Sequence, residues 1–315
     1  MVDSAAHPVV AEADLTKRLL PYPALISHVT ELLQSHSISV PTRQIYSTSD
    51  SNRFFVMPAF DEELCVTKLI THAPNNPSQN LPAIVGQVAV FDSKSGVCRL
   101  ILDGPTITAR RTAAVTGLFL KVIRPCSPKH CLIIGAGAQG CAHAEMLIET
   151  IKPERFTVVS RSMASADQLV EHIQTLGVKG ASEDSLPKSL DEYDLIITCT
   201  PAQQIVMSAH PGPDAVICAI GSYSPKMIEW NPKIVRQISE SGHIYVDSRD
   251  ADHEAGDLLQ AGLNPSDYPC LADLVQDPES RCLQNSKEPI FFKSCGWGGW
   301  DLAAAKCATA QLDKN

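Results

Sequence analysis

The sequence has no excess of positive charge. Lysine and arginine number 26 against 35 aspartate and glutamate, a formal net charge of −9, and without a concentrated basic footprint nucleic acid is not expected as a partner. It has no apolar run approaching the length that spans a bilayer. Its first residues, MVDSAAHPVVAEADL, lack the basic start and apolar core of a secretory signal. A soluble, intracellular (cytoplasmic) protein with no membrane partner is therefore expected. There is no CxxC pair among the eleven cysteines, which are odd in number and scattered, several inside apolar runs (Cys65, Cys131, Cys199, Cys218). The expectation is buried reduced thiols, with neither disulfides nor a metal site. Charged residues are few enough, 19% against 44% apolar, to exclude disorder, and 315 residues suit about two domains.

What the sequence does contain is centred on CLIIGAGAQG, residues 131–140. A short apolar run ends in Gly135, Gly137 and Gly140, the helix-like CAHAEMLIETI follows, and a second apolar run starts at Phe156. This strand–turn–helix–strand pattern carries the G-x-G-x-x-G spacing, in which the glycines turn the chain, admit a pyrophosphate to the backbone and let the helix pack on its strand. The phosphates would meet N–H groups at the helix start, so Gly135, Ala136, Gly137, Ala138, Gln139 and Gly140 are the expected dinucleotide cradle. Further runs, DLIITCT, AVICAIG and HIYVDS, alternate with helical or loop stretches. Such alternation predicts a doubly wound parallel sheet of Rossmann type. At the end of the second strand, Ser160-Arg161-Ser162 stands where NAD-preferring folds carry a carboxylate for the ribose hydroxyls. An arginine between two hydroxyls suits a ribose phosphate instead, so NADPH is the expected cofactor, with NADH binding at lower affinity. Thr200, before Pro201, ends the third strand on the cofactor side.

The N-terminal part reads differently. Leu25, Ile26, Val29, Leu32 and Leu33 recur at helical spacing. PTRQIYSTSDSNRFFVMPAF then gives a strand–turn–strand pattern with Arg43 and Arg53, closed by Met57-Pro58. In CVTKLITH, period-two alternation puts Lys68 on the face of Val66 and Ile70, where it must snorkel, pair or serve a site. An edge-strand gatekeeper and a ligand contact both fit. AIVGQVAVFD and VCRLILDG flank SKSG, a hairpin signal, and predict an antiparallel sheet. In GPTITARRTAAVTGLFLKVI, Thr106 or Thr108 can cap a helix with Arg110 and Arg111 in its first turn, where positive charge opposes the macrodipole unless an anion lies nearby. Adjacent helical residues diverge by about 100°, so at most one of the two faces a buried site. RPCSPKH is the expected domain junction, and the tail EPIFFKSCGWGGWDLAAAKCATAQL reads as strand, glycine-rich turn and helix, with Trp297 and Trp300 packing.

The ordered motifs VMPAF, TKLI, LDGPTITARRTAAVTG, IIGAGAQG, VDSRDADHEAGDL and FKSCG resemble the ornithine cyclodeaminase and mu-crystallin family over almost the whole chain. The resemblance implies an α+β substrate-binding and dimerisation domain, residues 1–125 joined by a C-terminal helix at 300–315, and a Rossmann NADP-binding domain at 126–299, with dinucleotide and substrate meeting in the cleft between them. It implies a homodimer, and aligns Arg43, Lys68 and Arg111 with the residues that grip the substrate carboxylate and carry catalysis. Arg111 also lies near the cofactor in that alignment; Gln87, Gly221, Lys293 and Ser294 align with cofactor-proximal positions. Where the cyclodeaminases carry an aspartate in G-G-D-C-P, this chain has Gly221-Ser222-Tyr223-Ser224-Pro225. A phenol supplies neither the charge nor the basicity of a carboxylate at neutral pH, so Tyr223 is a substrate contact and the imine-reducing branch fits better. The implied activity is NADPH-dependent reduction of a small cyclic imino acid, Δ1-pyrroline-2-carboxylate to L-proline and Δ1-piperideine-2-carboxylate to L-pipecolate. That would place the protein in proline, hydroxyproline and lysine metabolism. Ornithine cyclodeaminase, alanine dehydrogenase and a mu-crystallin-like NADPH-dependent ligand-binding protein share the scaffold and stand as alternatives.

Overall fold

A computed structural model describes residues 7–35, 37–79, 81–123, 127–221, 224–277 and 287–314. It divides into two compact units, Met1–Ala114 with Gly298–Asn315, and Val115–Trp297. The division falls inside a helix, α3, ahead of the proline-rich junction, because that helix is continuous across it and gives its first half to one unit and its second half to the other.

The first unit runs β1 (Val9–Ala11), α1 (Ala13–Leu19), α2 (Tyr22–Gln34), β2 (Gln44–Ser47), β3 (Arg53–Phe60), β4 (Leu64–His72), β5 (Ile84–Asp92), β6 (Cys98–Asp103) and the start of α3 (Gly104–Ile123). Its six-stranded sheet has the order β1-β6-β5-β4-β3-β2. The pairs from β2 to β6 are antiparallel, and only β1 runs parallel to its neighbour. Period-two alternation sorts β4: Leu64, Val66, Lys68 and Ile70 are buried, while Leu69 and Thr71 are exposed. The buried side carries α9 (Gly298–Leu312), which packs on β3, β4 and α2. The apolar stripe of α2, Leu25, Ile26, Val29, Leu32 and Leu33, is buried as its spacing predicts. Met57-Pro58 does not close β3, which continues through both residues. β2 pairs only with Arg53–Val56, so Pro58 stands beyond it, where a missing N–H is tolerated.

The second unit holds β7 (His130–Ile134), α4 (Ala138–Thr150), β8 (Arg155–Val159), α5 (Met163–Thr175), β9 (Lys179–Glu183), β10 (Leu195–Thr198), β11 (Val216–Ala219), α6 (Pro232–Ser241), β12 (His243–Val246), α7 (Gly256–Gln260), α8 (Leu271–Gln276) and β13 (Ile290–Lys293). The seven-stranded sheet is parallel throughout, in the order β12-β13-β11-β10-β7-β8-β9. This is the doubly wound Rossmann-type topology, with the order reversing beside β7, where ligands bind in such sheets. β7, β10, β11 and β13 are buried along their whole length, the signature of strands covered on both faces. No disulfide joins the described cysteines. Among the described residues, no helix is long and apolar enough to cross a membrane.

Candidate functional site

In the first unit, Lys68 is the residue that burial makes expensive. It lies on an interior strand, 1% exposed, which removes the edge-gatekeeper reading. Its counter-ion is Asp301, in the first turn of α9 and fully buried: the Lys68 Nζ lies 2.8 Å from Oδ2 and donates to Oδ1 at 3.1 Å. Arg111 reaches the same carboxylate, Nε to Oδ1 at 3.3 Å. Arg43, half-buried just before β2, is near enough for its charge to act on Lys68. Burial is the largest influence on the Lys68 ammonium and lowers its pKa from 10.5 to about 8; Arg111 and Arg43 push the same way, while Asp301 opposes them. Two buried cations thus share one carboxylate, with the charge of a third acting on the lysine. Such a cluster is completed by an anion, and paired arginine and lysine donors suit a carboxylate.

The two adjacent arginines diverge as helical geometry requires. α3 begins at Gly104, so Arg110 and Arg111 lie in its second turn and not its first, and the expected conflict with the macrodipole does not arise. The helix start is held by Asp103, whose Oδ2 accepts from the Thr106 N–H at 2.9 Å and the Thr106 hydroxyl at 2.6 Å; the threonine is the donor, not the cap. Arg110 turns to the Leu20 carbonyl (2.8 Å) and lies 3.8 Å over the Tyr22 ring. Arg53 bonds the carbonyls of its own turn, Ser49, Asp50 and Asn52, and takes no part in the cluster. Gln87 is exposed on β5, opposite Leu69 and Asp103.

In the second unit, the glycine loop joins β7 to α4. Gly135 has φ +110°, and a Cβ there would fall 2.8 Å from the Cys199 carbonyl oxygen; a Cβ on Gly140 would meet the Gly135 carbonyl oxygen at 2.0 Å. Both positions exclude a side chain for internal reasons. At Gly137 an added Cβ would meet nothing within 4 Å apart from its own chain neighbours, and no side chain caps the helix it begins. The loop, with Ala136, Ala138 and Gln139, therefore fits a dinucleotide pyrophosphate: open space in front of a helix N-terminus. Arg161 is exposed just past β8. Ser162 caps α5, its Oγ accepting from the Ser165 N–H at 3.3 Å, which leaves the hydroxyl proton to donate; Ser160 is half-buried beside it.

Thr200 and Gly221, at the ends of β10 and β11, are brought together by Glu229, which the sequence did not single out. Its Oε1 accepts from the Thr200 N–H (2.7 Å) and hydroxyl (2.9 Å), and its Oε2 from the Gly221 N–H (2.8 Å) and the Thr198 hydroxyl (3.1 Å). Burial raises its pKa, against the pull of Lys293. Behind it, Asp257 accepts the N–H groups of Glu229 and Trp230, and the Lys293 ammonium sits 3.2 Å from Asp257 while donating to the Ala219 carbonyl at 3.0 Å. Lys293 is fully buried in this network, and Ser294 donates to Asp247 at 2.8 Å. Tyr223, aligned with the missing aspartate, lies outside the described residues. Glu229 and Asp301 share one signal that would have found them: a lone acid flanked by buried apolar residues, MIEW and GWDLA.

The chain matches the Ornithine cyclodeaminase/mu-crystallin family over residues 7–314. It is 31% identical over 307 residues to Delta(1)-pyrroline-2-carboxylate reductase 2 of Burkholderia ambifaria, covering 96% of this chain and 95% of that one. It is also 31% identical over 310 residues to the Delta(1)-pyrroline-2-carboxylate/Delta(1)-piperideine-2-carboxylate reductase of Azospirillum brasilense, covering 97% and 96%. Among solved structures, the Delta(1)-pyrroline-2-carboxylate reductase of Thermococcus litoralis, in complex with NADH and L-proline, superposes with a TM-score of 0.88 over 97% of this chain and 98% of that one, at 22% identity.

Proposed function

The chain belongs to the ornithine cyclodeaminase/mu-crystallin family, and from that premise we propose that it is an NADPH-dependent ketimine reductase, reducing Δ1-pyrroline-2-carboxylate to L-proline and Δ1-piperideine-2-carboxylate to L-pipecolate. The observation that carries the proposal is the cluster in which Lys68 and Arg111 share the carboxylate of Asp301 while the charge of Arg43 acts on Lys68. A cyclic imino acid offers it a carboxylate next to the C=N bond. The names of the two 31%-identical relatives support the same substrate class.

In this reading Arg43, Lys68 and Arg111 bind the carboxylate and so fix the imine carbon one bond away, a positioning contribution. Asp301 holds Lys68 and Arg111 in place. The bound nicotinamide supplies the hydride. An imine that binds already protonated accepts that hydride and becomes a neutral secondary amine, so no strong general acid is needed. On the second unit, the backbone of 135–140 takes the pyrophosphate, Ser160, Arg161 and Ser162 take the ribose phosphate, and Glu229 shapes the strand ends at Thr200 and Gly221. A cytoplasmic homodimer completes the proposal. It is supported by the uncovered face of the first sheet, a hollow of about 370 Å³ where Val10, Leu69 and Val85 are 53%, 40% and 48% exposed.

The test is NADPH and NADH oxidation followed in parallel with each cyclic imine. Turnover with NADPH preferred is expected; NADPH binding without turnover on either imine would overturn the enzymatic reading. Incubation with ornithine and NAD, measuring ammonia, should release none. Arg161→Ala should weaken NADPH by about 10- to 100-fold, the worth of a charge-assisted phosphate contact, and leave NADH nearly unchanged. Equal losses for both cofactors would refute the phosphate role.

A further inference from the structure

Just past the glycine loop, the packed helices α4 and α5 bring together a thiol, a carboxylate and an imidazole. Cys141 and Glu145 stand four residues apart on α4, hence on one face. His172 reaches across from α5, its Nε2 3.0 Å from the Glu145 Oε1. The three donor atoms all lie within 4.8 Å of one another, and each residue is half-buried. We propose that Cys141, Glu145 and His172 form a binding site for a zinc-type divalent cation.

Three features of the cluster support this. The donor set is S, N and O, the borderline mixture that suits Zn²⁺ and Co²⁺; Mg²⁺ and Ca²⁺ call for oxygen alone. The geometry is close to what is needed: bonds of about 2.0–2.3 Å give a tetrahedron with edges of about 3.3–3.7 Å, so side-chain rotations of about an ångström close the site around an ion. The thiol must ionise to bind, and Cys141 lies in the first turn of α4, where the helix dipole favours an anion. Half-burial leaves an entry path and room for water in the fourth position. The sequence gives no hint of such a site, because the ligands are single residues, two on one helix and one on the next. The proposal does not depend on the catalytic reading.

The decisive experiment titrates chelator-treated, full-length protein with Co²⁺. One equivalent should bind, with a near-ultraviolet thiolate-to-cobalt charge-transfer band, and Zn²⁺ should displace it. Cys141→Ser should abolish the band and remove the rise in thermal midpoint that Zn²⁺ gives the parent. His172→Gln and Glu145→Gln should each weaken affinity at least tenfold, with only the small loss of metal-free stability that breaking the Glu145–His172 contact brings. A titration that does not saturate, or a band that survives Cys141→Ser, overturns the site. If His172→Gln and Glu145→Gln both bind like the parent, a lone thiol is responsible and the site is equally refuted.

Discussion

The two units each bury a charge network, and the two are built in opposite senses. In the first, two cations, Lys68 and Arg111, share the one carboxylate of Asp301, and the charge of Arg43 also acts on Lys68. In the second, two carboxylates, Glu229 and Asp257, share one ammonium, Lys293, and take their other hydrogen bonds from backbone N–H groups and threonine hydroxyls. The acceptors of the second network are satisfied from within, so it holds shape. The first pairs two cations, Lys68 and Arg111, with one carboxylate, a balance that suits an anionic ligand. Burial alone does not identify a functional charge; the balance of charge inside the burial does.

Removing the hub of the first network should have the largest effect. Asp301→Ala leaves a buried lysine without its counter-ion, which costs about 3–5 kcal/mol, and unfolding in urea should show it. A loss below about 1 kcal/mol would mean that water already reaches the pair, and the contrast between the units would disappear. Glu229→Gln comes next. An amide keeps one acceptor but turns an N–H₂ towards a backbone N–H that can only donate, so about 1–3 kcal/mol of stability should go. Dinucleotide affinity should fall with it, while affinity for the imino acid, which the proposal assigns to the first unit, should stay near parental. The reverse pattern would assign Glu229 to the substrate.

The same contrast explains what the sequence made legible. Lys68 could be read because a cation breaks an otherwise apolar period-two pattern, and the parallel sheet could be read from alternating apolar runs. Asp301 could not be read as its partner, since they are 233 residues apart and only the packing of α9 on β4 joins them. β9, Lys179–Glu183, carries no apolar signal because it is an edge strand of small and charged residues. β13 was legible as a strand, yet its insertion between β11 and β12 is a matter of sheet order, which local periodicity does not encode. MIEW marks Glu229 as a lone acid among apolar residues, but its partners, two backbone N–H groups and two threonine hydroxyls at the ends of separate strands, leave no local mark in sequence.

Arg111→Lys forfeits a planar fork at the carboxylate cluster, and the KM for the cyclic imine should rise about 10-fold or more with little change in stability. Arg110→Lys loses the Leu20 carbonyl bond and the stack on Tyr22. Stability should fall by about 1 kcal/mol, with KM within about twofold of parent. Equal KM effects would mean that the divergence of the two side chains carries no functional meaning.

The smallest effect is a titration. Lys68 loses its proton near pH 8 in the folded protein, well below its ordinary 10.5, because burial and the nearby arginines outweigh Asp301. Raising the pH through 8 therefore removes one of the three cations, and kcat/KM for the imine should fall by about fivefold, the worth of roughly 1 kcal/mol of charge interaction. Stability should move the other way. Between about pH 8 and 10.5 the unfolded chain holds the Lys68 proton and the folded one has released it, so this group's contribution to stability rises with pH. The imine's own protonation also affects the rate, but it is common to every variant, so the ratio of parent to Lys68→Met isolates the lysine. That ratio should bend near pH 8 in activity, with an opposite bend in the unfolding midpoint. A ratio flat across the range would show that Lys68 serves the fold alone, leaving the arginines to hold the carboxylate.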